Sequence, residues 1–301
     1  MRVLVTGATG LIGSAVCDAL LARGDEVAGL TRDPASARKT NPTVSWHAWD
    51  PANERPSEAA FEGVDAVVNL IGEEINQRLT DEAKRRIRDS RVRATKNLVD
   101  GLLAATPQPK TLVSQAAIGI YGDRGAAMVD ESTAPAEGFL PQLVVEWENE
   151  ARRAESTGVR VAIFRTGLVL DPDGGLLKQL GLPFKLGVGG PLAGGDFYMP
   201  WIHRDDEVGL ILWALDNPAV SGTLNATAPN PVTNREFSKA LGKALNRPSI
   251  MPVPRLALVA LRGEELAGQI TGSFRVIPRR ALDAGYRFKF ERLDPALADL
   301  L

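Results

Sequence analysis

The chain has 301 residues, 44% of them hydrophobic and 24% charged, enough to bury a full core in one large domain or in one domain with a smaller one attached. A net charge of −2 gives no attraction to a polyanion, so the expected partner is a small molecule, not nucleic acid or a membrane surface. A single cysteine, Cys17, and two histidines supply no ligand set for a metal such as zinc, and none is expected.

An apolar β-like run follows Met1 at once and leaves no room for a signal peptide, and no apolar stretch reaches the ~20 residues of a membrane span, which points to the cytoplasm. That first strand is predicted over residues 2–6. Helical periodicity follows over 11–23 and stops at Gly24, and a second strand is predicted over 26–31, completing a βαβ unit. Further strands are expected over 44–48, 66–70, 111–116 and 160–164, with helices over 81–105 and 140–156. This alternation predicts an α/β fold: a Rossmann-type doubly wound parallel sheet of at least six strands, covered on both faces. After Leu170, glycine and proline cluster at 171–175 and 187–195. A helix over 205–216, a strand over 223–226 and a helix over 234–245, capped by Thr233 or Asn234, suggest a smaller α/β cap. The expected division is therefore 1–170 for the dinucleotide domain and 171–301 for the cap, the two interleaved.

The strongest chemical signal is Thr6-Gly7-Ala8-Thr9-Gly10-Leu11-Ile12-Gly13, between the first strand and the first helix. Glycines there permit a sharp turn, close backbone approach to a pyrophosphate and tight helix packing, while the helix N-terminus offers free N–H groups and a partial positive charge. Cofactor choice is set at the end of the second strand. An acidic side chain there suits the ribose hydroxyls of NAD; here the strand ends Leu30-Thr31-Arg32, and a guanidinium suits the 2′-phosphate of NADP(H). Asp33 comes next and would suit NAD.

Several ordered motifs carry a resemblance over nearly the whole chain. These are Gly7, Gly10 and Gly13; Val68-Asn69-Leu70-Ile71-Gly72-Glu73; Ser90-Arg91-Val92 with Thr95; Arg165-Thr166-Gly167; Pro200-Trp201-Ile202-His203; and residues 225–231. Arg275–Arg280 and Ala284-Gly285-Tyr286 complete the set. Together they resemble an atypical, epimerase-like branch of the extended short-chain dehydrogenase/reductases, often labelled sugar-nucleotide epimerase or SulA-like, that ends in a short domain of unknown function. The resemblance implies a cradle of Gly7, Thr9, Gly10, Leu11, Ile12 and Gly13 for the cofactor and places Thr31 and Arg32 at its 2′-phosphate. It sets Leu70, Ile71 and Gly72 beside the adenine-side ribose and the nicotinamide, with Arg91 and Arg165 as further contacts.

The catalytic positions depart from the family. Ordinary members use a Tyr with a Lys four residues later and a Ser that orients the substrate oxygen, a tuned phenol acting as general acid and base. Tyr121, Tyr198 and Tyr286 are followed four residues on by Gly125, Ile202 and Phe290, while the resemblance puts the family's Tyr and Lys positions near Leu140 and Val144 and Ala117 in place of the Ser. Tyr121, Gln115 and Glu73 are the candidate replacements: a phenol at the cleft, an amide that orients a polar substrate, and a carboxylate that acts as a base if buried. Trp147 reads as core between Glu146 and Glu148, and His203 as a link between the cap and the main domain. Two functions follow from these residues: an NADP(H)-dependent oxidoreductase or epimerase with a substituted proton relay acting on a small polar substrate, or a non-catalytic NADP(H)-binding sensor or scaffold. Monomer and homodimer suit the sequence equally.

Overall fold

The computed structural model describes residues 1–301. Seven strands form its main sheet: β1 (Arg2–Thr6), β2 (Glu26–Thr31), β3 (Ser45–Ala48), β4 (Ala66–Asn69), β5 (Thr111–Ala117), β6 (Arg160–Thr166) and β7 (Gly222–Ala226). Their order is β7-β6-β5-β4-β1-β2-β3, and every neighbouring pair is parallel. The chain starts in the middle of the sheet, winds out to β3, then crosses back and continues on the other side. The order reverses between β1 and β4, and in open sheets of this kind ligands bind at that reversal, beyond the carboxyl ends of the strands.

Twelve helices surround the sheet: α1 (Leu11–Ala22), α2 (Pro34–Thr40), α3 (Asp81–Arg88), α4 (Ala94–Ala104), α5 (Phe139–Arg152), α6 (Gly175–Lys185), α7 (Arg204–Asp216), α8 (Asn234–Ala244), α9 (Arg255–Arg262), α10 (Glu264–Thr271), α11 (Arg279–Asp283) and α12 (Leu293–Leu300). Because side chains alternate across a strand, β1 sends Val3 and Val5 to one face and Leu4 to the other. Val3 and Val5 join Val16, Leu20, Leu210 and Ile211 in a core under α1 and α7. Leu4 joins Leu98, Leu102 and Val144 under α4 and α5. None of the helices is long and apolar enough to cross a membrane.

Three features of the fold bear on the site. The long helix expected over 81–105 is interrupted at Asp89–Arg93 by a π-helical turn, which swings Arg91 inward. Beyond Leu170 the chain returns to the main sheet: α7 packs against it and β7 extends its edge beside β6. Between the two glycine-rich clusters the chain forms α6, whose Leu177 and Phe184 anchor a third core with Trp201, Phe237, Phe290 and Leu297. Thr233 caps α8 as expected, within a reciprocal capping box with Glu236.

Candidate dinucleotide-binding site

The glycine loop owes its shape to two positions that tolerate no side chain. Gly7 has φ of +63°, a conformation L-residues rarely adopt, and a Cβ there would lie 2.6 Å from the carbonyl oxygen of Leu70. Gly13 is buried in the first turn of α1, where a Cβ would overlap the carbonyl oxygen of Gly7. No side chain caps α1 at Gly10, so the amides of its first turn are left for an external acceptor. Thr9 and Gly10 are exposed on the rim, and Leu11 and Ile12 are half-buried.

Behind the loop a buried network ties five elements together. Thr6 Oγ1 donates to Asn69 Oδ1 at 2.8 Å and accepts from the Leu70 amide at 3.1 Å. Asn69 Nδ2 donates to Thr95 Oγ1 at 3.0 Å and to Ser114 Oγ at 3.1 Å, and Trp147 Nε1 donates to the same Thr95 hydroxyl at 2.9 Å. These bonds link β1, β4, β5, α4 and α5 just beneath the strand ends and hold Leu70, Ile71 and Gly72 at the rim.

At the end of β2, Arg32 is exposed and Thr31 half-buried beside it. Asp33 is already committed: its Oδ1 accepts the Ser36 amide at 2.9 Å as the cap of α2, with Pro34 in the first turn. The carboxylate is thus used as a helix cap, and the guanidinium is left facing solvent.

Beyond the loop lies a cavity of about 250 Å³, whose walls include Ile12, Leu70, Gly72, Arg91, Gln115, Ala117, Trp147, Thr166 and Val169. A larger groove of about 490 Å³ lies along the other flank of α1, but Asp18, Asp171, Asp173 and Asp205 line it, a poor setting for a phosphorylated ligand. Arg91 is buried beneath Gly72, its guanidinium 5.3 Å over the Trp147 ring. It donates to the carbonyl of Glu73 at 2.8 Å and, at longer range, to Ser90 and Ile87, while its Nε has no partner. Burial pulls the Arg91 guanidinium down to about 10, against the field of Glu73.

The other sequence-predicted residues are scattered. Gln115 lines the cavity, as do Ala117 and Thr166. Tyr121 does not: it is fully buried, its hydroxyl donating to Asn225 Oδ1 at 2.7 Å and accepting from Arg165 Nη1 at 2.9 Å. Burial also pushes its phenol up, despite Arg165, the opposite of what a proton relay needs. Arg165, expected at the cofactor, turns to the α5 face. Its Nε and Nη2 clasp Glu148 at 2.6 and 3.1 Å, and although burial opposes its charge, that carboxylate holds it firmly protonated. Glu73 is about one-third exposed and accepts from Gln77 and Arg86. Those bonds, Gln77's first, hold its carboxyl below the usual range, so it is not a buried base. Leu140 and Val144, near which the Tyr and Lys were expected, are buried apolar side chains.

His203 is fully buried and stacks on Phe290 at 3.9 Å, while its Nδ1 accepts the Asp205 amide and caps α7. Its Nε2 lies 3.4 Å from Asp299 but has no aligned hydrogen-bond partner. Sequence reasoning missed Glu207 altogether. It is wholly buried in the first turn of α7, and Thr166 Oγ1 lies 2.8 Å from its Oε1. Its position in the acidic run Asp205-Asp206-Glu207 looks like ordinary charge at a helix start, and only the fold shows that it points inward.

A doubly wound sheet with a glycine cradle at its reversal point defines a Rossmann-type protein of the short-chain dehydrogenase/reductase kind. The chain belongs to the NAD dependent epimerase/dehydratase family, whose model matches residues 3–226, and a domain of unknown function, DUF1731, matches residues 253–300. It is 39% identical to the chloroplastic SDR39U1 homologue of Arabidopsis thaliana, an epimerase family protein, over 100% of this chain and 87% of that one. Human epimerase family protein SDR39U1, crystallised with NADPH, is similar in structure with a TM-score of 0.90 and 35% identity, covering 100% of this chain and 99% of that one. Thermus thermophilus UDP-glucose 4-epimerase, in complex with NAD, shares the fold at a TM-score of 0.79 and 21% identity, covering 100% and 97% of the two chains.

Proposed function

We propose that the chain binds NADP(H) and works as an oxidoreductase or epimerase on a small polar substrate, without a Tyr/Lys proton relay. The observation that carries this reading is the division of labour at the end of β2: Asp33 is consumed as a helix cap, and Arg32 is left free beside the glycine cradle. The NADPH in the human relative supports the same reading. Gly7, Thr9, Gly10, Leu11, Ile12 and Gly13 would hold the pyrophosphate, Thr31 and Arg32 the 2′-phosphate, and Leu70, Ile71 and Gly72 would lie beside the adenine-side ribose and the nicotinamide.

When bound, the nicotinamide supplies or accepts a hydride at the cavity. The chain's own residues bind and orient the reactants. Arg91, with its free Nε and lowered affinity for its proton, meets developing or fixed negative charge. Gln115 orients a polar group by hydrogen bonds, and Trp147 with Val169 limits the cavity to a small molecule. Leu140, Val144 and Ala117 favour a second reading, a non-catalytic NADP(H) sensor or scaffold, because three groups of the ordinary relay are replaced by apolar side chains.

Following NADPH absorbance across a panel of small aldehydes, ketones and hydroxy-ketones separates the two. Turnover that falls at least tenfold in Gln115→Ala, with NADPH affinity retained, supports the enzyme. Tight NADPH binding without oxidation by any member supports the sensor.

A further inference from the structure

Glu207 has no cation within ion-pairing distance, its Oε2 has no hydrogen-bond partner, and the Thr166 hydroxyl is its sole contact of that kind. The charged and titratable groups around it are engaged elsewhere. On α7, Asp206 accepts the amides of Lys289 and Phe290, Asp205 pairs with Lys289, and Arg204 pairs with Asp171. From the segment packed on α7, the Tyr286 hydroxyl donates to the carbonyl of Asp206. His203 caps the helix, and Arg165, next to Thr166 in β6, is held by Glu148 on the opposite face. A carboxyl group placed so far from water and from any cation favours its neutral form.

The protonation state decides what Thr166 can do, because its hydroxyl has a single hydrogen. Facing a carboxylate, that hydrogen must point to Glu207. Facing a carboxylic acid, Thr166 accepts the proton of Glu207, and its own hydrogen, met inside the fold only by the Phe164 carbonyl at a long 3.5 Å, can turn to the cavity it lines together with Gly167 and Val169. We propose that Glu207 is a positioning residue: by keeping its proton inside the fold it makes Thr166 a donor to the carboxamide oxygen of a bound nicotinamide. Burial, opposed weakly by the bond to Thr166, pushes the Glu207 carboxyl up to about 8, so the donor persists at neutral pH and is lost in alkali. This inference rests on the NADP(H) reading above.

The test compares NADPH with 2′,5′-ADP, which keeps the 2′-phosphate but lacks the nicotinamide, titrated at pH 7 and pH 9.5. Both lie above the second ionisation of a phosphate monoester, near ~6. For the unaltered chain, NADPH affinity should fall roughly three- to tenfold between the two pH values, the worth of one hydrogen bond, while 2′,5′-ADP affinity holds. Glu207→Gln, whose amide donates permanently to Thr166, should keep the neutral-pH affinity at pH 9.5. Thr166→Val should start weaker and stay level, and its unchanged affinity for 2′,5′-ADP reports that it is folded. NADPH tracking 2′,5′-ADP in the unaltered chain, or Glu207→Gln keeping the alkaline loss, overturns the proposal. Failure of both nucleotides to bind at either pH overturns the NADP(H) reading itself and is plainly different.

Discussion

The two walls of the cleft are built by different means. The wall formed by β1, α1 and the end of β2 is a matter of backbone: two glycines that tolerate no Cβ and an uncapped helix stand beside one exposed guanidinium. The wall formed by β5, β6, α5 and α7 is a matter of side chains, in networks that join distant stretches of sequence. Tyr121 reaches Asn225, Arg165 reaches Glu148, and Thr166 reaches Glu207. A site made by backbone leaves its mark in residue type and spacing, whereas one made by tertiary pairing does not. Family relatives can therefore share the first wall while the chemistry of the second changes.

The sharpest way to break the first wall is Gly13→Val, whose side chain would enter the Gly7 peptide. NADPH affinity should fall more than about 100-fold in a fluorescence titration, the loss expected when backbone geometry at an anion site is displaced. The second wall should answer in stability. Arg165→Ala leaves Glu148 buried with only Arg152 to meet it, and denaturant unfolding should show a loss of about 3–5 kcal/mol. Replacing both partners by apolar residues, Arg165→Met with Glu148→Leu, should recover most of it.

Glu207 gives the second wall a pH signature. The folded chain holds its proton up to about pH 8, whereas the unfolded chain releases it near 4.5. Between those values the folded state binds the extra proton, so this contribution is fully present below about pH 4.5 and is lost as pH rises toward 8. The difference in stability between the unaltered chain and Glu207→Gln should therefore shift by up to about 4 kcal/mol in favour of the glutamine from pH 5 to pH 9. A difference that stays constant across that range would show that Glu207 does not titrate within it. The smallest effect is expected from Tyr121→Phe, which removes a hydroxyl from the buried network. It should cost about 1 kcal/mol of stability and leave NADPH affinity unchanged. A change in affinity would return Tyr121 to the cleft.

The same contrast explains how much could be read before the structure. All seven strands of the sheet, the first helix, the cap on α8 and the glycine cradle follow from periodicity, turn residues and spacing, which are local properties. The inward swing of Arg91 depends on a π-helical turn in a segment whose pattern reads as continuous helix. Arg165 could not be assigned from an apolar strand, because alternation tells that it faces away from Thr166 but not which face holds Glu148. Glu207 was hidden by its acidic neighbours. The helices α9 to α12 go beyond the sequence expectation: each is eight residues or shorter, too brief for its pattern to stand out, and α9 has no buried residue at all.

The central claim is that Arg32, set beside a glycine cradle while Asp33 is occupied as a cap, selects NADP(H). Its most direct test is fluorescence titration of NADPH and NADH into the unaltered chain and into Arg32→Asp. The unaltered chain should bind NADPH at least about tenfold more tightly than NADH, as charge-assisted bonds to a phosphate provide, and the variant should lose that preference or reverse it. Equal NADPH affinity in the two chains, or no preference in the unaltered one, would contradict the account.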